Sequence, residues 1–279
     1  MKRNVRKTMK SLSQNHCIIF SAVVIVIALI LDPLFVQIFS LLEPGEYLPK
    51  IMGQIIPGIL ILLTIRCILP KQKIGFARKG LLVGIGLGWI FIIYSVINLD
   101  ISFISQHGII MPPLATTAGF VIYSISIGFY EEIMMRALIL NNFILNWGHT
   151  KKGIYKSAIL SSGLFGIAHL VNLFYTPDLK IAIMAQIVYA TTIGLFFASI
   201  YLRSKNIWAV IFLHALFDFA ASFKEVFSTA VNEITDITVG NAFAFNLLLL
   251  PLAFIGLFLL RKVEPVNIKD EINKPNYRR

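Results

Sequence analysis

The sequence predicts an all-α fold: a polytopic membrane bundle of about eight transmembrane helices with both termini in the cytoplasm. Hydrophobic residues make up 57% of the 279 positions and charged residues only 14%, whereas roughly 25% of a soluble domain is charged. The mean hydropathy is +0.79. Apolar runs also recur along the chain at a length that suits a bilayer, because a spanning helix needs about 20 mostly apolar residues.

The predicted spans follow these apolar runs from the N-terminus onwards. The first run comes after a basic segment and lacks an A-x-A-like cleavage site, so we interpret it as an uncleaved signal anchor. The predicted spans are 17–42, 51–69, 80–98, 116–141, 154–175, 181–202, 205–223 and 242–260.

The distribution of Lys and Arg predicts the orientation. With eight spans, 20 of the 25 basic residues fall in the termini and loops of one side. The opposite side receives only Lys50, Lys180 and Lys224. Because short cytoplasmic loops carry an excess of Lys and Arg, this asymmetry predicts an N-in, C-in topology.

Composition also argues against two other classes of protein. The formal net charge is +11, but the basic residues lie in short loops and do not form a basic face with interleaved aromatic residues. We therefore expect no nucleic-acid partner. Cys17 and Cys67 lack the spacing of metal ligands, and they do not imply a disulfide.

Ionisable residues inside three of the predicted spans are the strongest functional signal in the chain. A charged side chain at the bilayer centre costs about 2.5–3.5 kcal/mol on insertion scales, so such residues are rare and usually functional. Their similar positions along the three spans predict that they converge on one cavity near the middle of the bilayer. The six residues are Glu131, Glu132, Arg136, His169, His214 and Asp218.

Helical spacing predicts which of these residues face each other. Glu132 and Arg136 are four residues apart and lie on one helix face, so they are expected to pair. Glu131 is rotated by about 100° from Glu132, so the two carboxylates must have different roles. His214 and Asp218 also share one face of their helix.

A carboxylate and two imidazoles supply the groups that peptide hydrolysis requires. A Glu can accept a proton from water, one His can orient that water, and a second His can stabilise the oxyanion. The same set, Glu131, His169 and His214, suits a Zn²⁺ ion with an open coordination position. The sequence contains no H-E-x-x-H motif, and its residues are compatible with both mechanisms.

The polar segments resemble those of the CPBP intramembrane proteases, which include the type II CAAX prenyl endoproteases and the bacteriocin-processing or Abi-like proteins. The family pattern is E-E-x-x-x-R on one helix, F-x-x-x-H on the next, and H-x-x-x-N/D on a later helix. The resemblance covers roughly residues 116–223. The matching segments are EEIMMR at 131–136, FGIAH at 165–169 and HALFD at 214–218.

The resemblance implies the roles of the catalytic residues. Glu131 would be the base that activates water, and His169 would help to hold that water. His214 and Asp218 would stabilise the oxyanion. The implied activity is an intramembrane endopeptidase that cleaves a membrane-associated peptide or protein, in a multi-pass protein of the bacterial plasma membrane.

The remaining motif residues would order the site, and one position departs from the prenyl-protease members. Glu132, Arg136 and Phe165 are the ordering residues. Asp218 stands where those members have Asn, and an ionised Asp would repel the developing charge on the oxyanion. We expect a single integral-membrane domain over residues 1–279, consisting of a basic cytoplasmic N-terminus (1–16), a catalytic helical core (116–223) and a cytoplasmic tail (261–279).

Two other functions fit parts of the pattern. One is a non-catalytic membrane immunity or scaffold protein, acting in bacteriocin self-immunity, that keeps the polar site for structure. The other is a proton-coupled transporter that uses the buried carboxylates. A transporter of this kind is expected to show symmetry between two halves, which the sequence lacks.

Overall fold

The computed structural model describes residues 2–42, 45–70, 72–99, 108–228 and 236–266, with the backbone alone for residues 2–7. Within these ranges the regular structure is helical, and one isolated antiparallel bridge joins Ile109 to Ser228. The all-α prediction is therefore confirmed. Most of the predicted tail, residues 267–279, lies outside the described residues.

The helices are labelled in chain order. A π-helical stretch, here called the π segment, follows α6, and a 3₁₀ turn precedes α9. The bounds are α1 Lys2–Asn15, α2 Cys17–Leu42, α3 Leu48–Ile68, α4 Leu81–Leu87, α5 Trp89–Ile97, α6 Leu114–Glu132, π segment Ile133–Leu140, α7 Asn141–Trp147, α8 Lys151–Ala168, 3₁₀ turn His169–Val171, α9 Asn172–Tyr175, α10 Lys180–Ser204, α11 Ile207–Ala221, α12 Phe223–Phe227 and α13 Val239–Leu260.

Five helical stretches in the described part of the chain are long and apolar enough to cross a membrane. Large apolar side chains on their outer faces are exposed, such as Ile30 at 60% on α2 and Phe254 at 65% on α13. Such faces suit contact with lipid, and the chain is an integral membrane protein. The five stretches are Cys17–Leu42, Leu48–Ile68, Lys151–Tyr175, Lys180–Ser204 and Val239–Leu260.

The other three predicted spans are helical but do not form a single long apolar helix. The span predicted at 80–98 consists of α4 and α5, which meet at Gly88. The span predicted at 116–141 is divided between α6 and the π segment, and that predicted at 205–223 corresponds to the 15-residue α11. The count of eight spans and the N-in, C-in orientation therefore remain predictions.

The helices that carry the polar motifs pack at the centre of the bundle. Helix α6 packs against α3 and α11, and α10 packs between α8 and α13. Aromatic residues fill the space beside α11, where the Phe91 ring meets the Phe197 ring edge-on at 4.8 Å and lies 5.3 Å from the Phe217 ring. This packing fixes the positions of α6, α8 and α11 relative to one another.

Candidate active site

The first motif lies where α6 gives way to the π segment. Glu132 is the last residue of α6, and Arg136 lies in the π segment; both side chains are fully buried. Arg136 Nε lies 2.9 Å from Glu132 Oε2, and Nη2 donates a hydrogen bond to Oε1 at 3.3 Å. The predicted pair is therefore confirmed. π-helical turns occur frequently at functional sites.

His214 on α11 is surrounded by three carboxyl groups. Its Nδ1 atom lies 2.9 Å from Glu132 Oε1. Its Nε2 atom lies 3.4 Å from Glu131 Oε2 and 3.5 Å from Asp218 Oδ2. Because Glu132 is paired with Arg136 as a carboxylate and can only accept, Nδ1 carries a proton and donates it to Glu132. The Nε2 atom is thereby directed at Glu131 and Asp218.

A glycine brings the first and third motifs this close together. Gly128 lies on α6, one turn before the glutamates, and faces the backbone of α11. A Cβ atom there would lie 2.8 Å from the carbonyl oxygen of Ile211 and 3.1 Å from the amide nitrogen of Ala215. Only a residue without a side chain permits this approach, which places the α6 carboxylates beside His214.

His169 begins the 3₁₀ turn directly after α8. Its Nδ1 atom donates to the backbone carbonyl of Phe165 at 2.9 Å, since a carbonyl oxygen can only accept. In the neutral imidazole, Nε2 is then an acceptor for a water or substrate hydrogen. The Phe165 ring contacts both imidazoles edge-on, at 5.0 Å from the His169 ring and 6.0 Å from the His214 ring.

The polar residues share one cavity. Its volume is about 470 Å³, and its lining includes Glu131, His169, His214 and Asp218. This volume lies within the range of small-molecule sites, about 300–1,000 Å³. Each of the three motifs thus contributes at least one of the six residues to this cavity. Glu132 and Arg136 are absent from the lining and lie behind His214.

Phe165 connects the buried ion pair to the cavity. Its ring lies in the cavity wall, and the Arg136 guanidinium carbon lies 5.3 Å from the ring centroid. A cation over an aromatic face is stabilised by the ring quadrupole. Phe165 therefore separates the Arg136 charge from the cavity while contacting both histidines.

Comparison with known proteins agrees with this geometry. Residues 113–220 match the family model described as type II CAAX prenyl endopeptidase Rce1-like. Over this segment the chain is similar to the CPBP/CAAX proteases. The matched segment runs from the start of α6 almost to the end of α11 and contains all six ionisable motif residues. No curated protein and no solved structure gives a significant match to the chain.

Four residues outside the motifs form polar pairs in the wall of this cavity. Gln54 Nε2 on α3 donates to Asp32 Oδ1 on α2 at 3.1 Å. Asn172 Nδ2 on α9 donates to Gln186 Oε1 on α10 at 2.8 Å. All four line the cavity. Sequence reasoning did not assign them to the site, although Asp32 carried a signal as a carboxylate in an apolar span.

The grouping of side chains in the cavity bears on the possible zinc site. Among the described residues, no three His, Cys, Asp or Glu side chains are grouped so that they could hold a metal ion. One nitrogen of each cavity histidine takes part in a hydrogen bond, with Phe165 for His169 and with Glu132 for His214. This leaves Nε2 of each ring for a water molecule or a metal ion. The possible Zn²⁺ set of Glu131, His169 and His214 remains a prediction.

Proposed function

We propose that this protein is an intramembrane endopeptidase, which hydrolyses a peptide bond in a membrane-associated peptide or protein with water activated by Glu131. The observation that supports this most directly is the difference in burial and contacts between Glu131 and Glu132. Glu132 is fully buried and held by Arg136 and His214, whereas the Glu131 side chain is 23% exposed and lines the cavity. Of these two glutamates, Glu131 is therefore the one whose carboxylate can reach a water molecule in the cavity.

Glu131 and His169 would prepare the water for attack. Water donates one hydrogen to Glu131 and the other to the Nε2 acceptor of His169. Glu131 takes the proton as the water oxygen attacks the scissile carbonyl carbon, which becomes tetrahedral. The C–N bond then breaks, and the proton passes from Glu131 to the leaving nitrogen, which gives a carboxylic acid and an amine.

His214 and Asp218 would stabilise the oxyanion of that intermediate. With protons on both ring nitrogens, His214 donates through Nδ1 to Glu132 and through Nε2 to the oxyanion. The buried Glu132–Arg136 pair fixes the plane of this imidazole. Asp218 orients Nε2 and, in its protonated form, donates a second hydrogen bond.

The substrate and the location follow from the surroundings of the site. A cavity among membrane helices suits a substrate that lies in or at the bilayer. The chain is rich in Ile and has more Lys than Arg, a composition that supports a bacterial plasma membrane. A bacterial enzyme of this kind would mature a secreted peptide or cleave a membrane-associated protein, including in bacteriocin self-immunity.

Proteomic comparison of peptide termini tests this proposal. Cells would express wild type, Glu131→Gln or Glu225→Gln at matched levels, and the termini of membrane and secreted peptides would be sequenced. Glu225 is an exposed glutamate on α12, so its variant controls for the amide substitution. Loss of a general base lowers the rate about 10²–10⁴-fold, so specific termini should persist in wild type and Glu225→Gln alone.

The same comparison of peptide termini distinguishes an endopeptidase from a non-catalytic protein. Identical termini in wild type and Glu131→Gln, together with a retained immunity phenotype, would favour an immunity or scaffold protein.

Purified enzyme treated with a chelator tests the metal alternative. We expect activity to persist; loss that Zn²⁺ alone restores would instead assign Glu131, His169 and His214 as metal ligands.

A further inference from the structure

Asp32 is a membrane carboxyl group that the proposed reaction does not use. It lies on α2, within a candidate span, and lines the cavity. No Lys, Arg or His in the described ranges forms an ion pair with it. Its Oδ1 atom accepts the hydrogen bond from Gln54, while Oδ2 receives none there. An ionisable residue inside a membrane usually has a functional partner.

The contact between α2 and α3 places Asp32 beside Gln54. At Gly53, a Cβ atom would lie 2.9 Å from Asp32 Oδ1 and 3.2 Å from its backbone carbonyl oxygen. Glycine therefore lets the two helices approach at this level. Because the Gln54 amide nitrogen is used on Asp32, its carbonyl oxygen is the atom left for another partner.

Two further polar atoms, on residues of the same cavity wall, lack a hydrogen-bond partner among the described residues. Gln54 is only 8% exposed, and its Oε1 atom has no hydrogen-bond partner among the described residues. Tyr130 is 4% exposed, and its hydroxyl likewise has none in the described part of the chain. Both residues line the cavity with Asp32. Buried polar groups normally find a partner, so these atoms indicate a ligand.

The chemistry of these atoms identifies the kind of ligand. The Asp32 carboxylate and the Gln54 carbonyl accept hydrogen bonds, and the Tyr130 hydroxyl accepts as well as donates. The described residues that line the cavity include the carboxyl groups of Asp32, Glu131 and Asp218 but no Lys or Arg. The complementary group is a cation rich in N–H donors.

We propose that Asp32, Gln54 and Tyr130 form a subsite for a protonated amino or guanidinium group of the substrate peptide. An ammonium group carries three N–H donors and matches the three acceptors, and its charge is compensated by Asp32. The group is either a Lys or Arg side chain or a free N-terminal amine. This inference rests on the proposed function, because it names the substrate class of the same cavity.

Peptide binding to an inactive enzyme tests the subsite without requiring turnover. Full-length Glu131→Gln protein in lipid nanodiscs would be immobilised and incubated with a randomised decapeptide library. One half of the library has free N-terminal amines and the other is N-acetylated, and retained peptides would be sequenced. Charge-assisted hydrogen bonds of this kind should enrich cationic peptides about tenfold or more.

The two halves of the library distinguish the source of the cation. Enrichment of Lys and Arg among acetylated peptides assigns a basic side chain. Preferential retention of free-amine peptides assigns the N-terminus. Asp32→Asn in the same background keeps the size and the Gln54 contact but removes the charge, so it should abolish the enrichment. Asp178→Asn removes an exposed loop carboxylate and should leave the enrichment unchanged.

A second variant and a cleavage assay complete the design. Gln54→Met removes the acceptor oxygen at similar volume and should reduce the enrichment less than Asp32→Asn does. No cationic enrichment, no retained peptide, or enrichment that survives both variants would overturn the subsite. Cleavage of library peptides by wild type without cationic preference would refute the subsite alone. Asp32-dependent retention without any cleavage would refute the endopeptidase alone.

Discussion

Glu131 and Glu132 are adjacent residues with different surroundings. Successive helical residues point about 100° apart, so one carboxylate faces the cavity and the other faces the interior of the bundle. The interior position is fully buried and satisfied by Arg136 and His214. The pair thus presents one carboxylate to the cavity and buries the other, and the two are expected to respond differently to the same substitution.

Glu132→Gln should strongly destabilise the fold. Removing one partner of a buried ion pair leaves the other charge uncompensated and costs about 3–5 kcal/mol. Thermal unfolding of purified protein in detergent measures this loss, with Glu131→Gln as the matched control that should unfold close to wild type. Replacing Glu132 and Arg136 together with Leu should recover part of the stability. Equal unfolding temperatures for the two glutamine variants would contradict the assigned roles.

Asp218→Asn should retain activity or increase it. An Asn amide always presents an N–H donor to the oxyanion, whereas an Asp side chain donates only when protonated. Asp218→Ala removes the donor, and loss of one oxyanion donor lowers kcat about 10²–10³-fold. Turnover of an identified substrate by the three proteins checks this order. An inactive Asn variant with an active Ala variant would exclude an oxyanion role for this position.

At the scale of elements, the crossing of α6 and α11 depends on Gly128. Gly128→Ala would place a methyl group against the α11 backbone, and overpacking of this kind costs about 1–3 kcal/mol. We expect the helices to separate, the contacts of Glu131 and Glu132 with His214 to lengthen, and activity to fall. Activity and thermal unfolding measure the two effects.

Gly163→Ala on α8 is the matched control for that substitution. A Cβ atom at Gly163 would meet nothing within 4 Å. Alanine favours a helix over glycine by about 1 kcal/mol, so this variant should be as stable as wild type or more so, with normal activity. Similar losses of activity and thermal stability in both glycine variants would contradict a specific role for the α6–α11 crossing.

The sequence predicted those contacts that depend only on the spacing of residues within one helix. The i, i+4 spacing predicted the Glu132–Arg136 pair, and the pair is observed at 2.9 Å. Such a prediction needs only the geometry of one helix.

The features that sequence reasoning missed depend on packing between distant segments. Asp32 reaches the cavity because α2 meets α3 at Gly53, a contact between residues far from the motifs. The same holds for Gly128, which appears in the sequence as an ordinary small residue. The π segment was not predicted either, because an i, i+4 ion pair fits an α-helix as well as a π-helix.

Across the whole molecule, loops that the predicted topology assigns to one side lie together. Lys73, Lys205 and Val263 contribute to the lining of one cavity of about 720 Å³. Lys151 Nζ also donates to the Arg261 carbonyl at 2.9 Å. The segment before α13 contacts the opposite end of α10, where the Asp236 carboxylate accepts hydrogen bonds from the backbone amides of Ile181 and Ala182. The predicted cytoplasmic loops thus gather around α7 and the end of α10.

Reporter fusions test the orientation that this grouping suggests. Alkaline phosphatase is active only when exported, so we expect activity when it is fused after Asp178 and none when it is fused after His149 or Lys205. A fluorescent protein fused after Arg279 should fluoresce, since the C-terminus is predicted to lie in the cytoplasm. The physical reason is the excess of Lys and Arg in the loops on that side. Phosphatase activity after His149 and Lys205 but not after Asp178 would invert the topology; activity after only one of those two would change the number of spans between them.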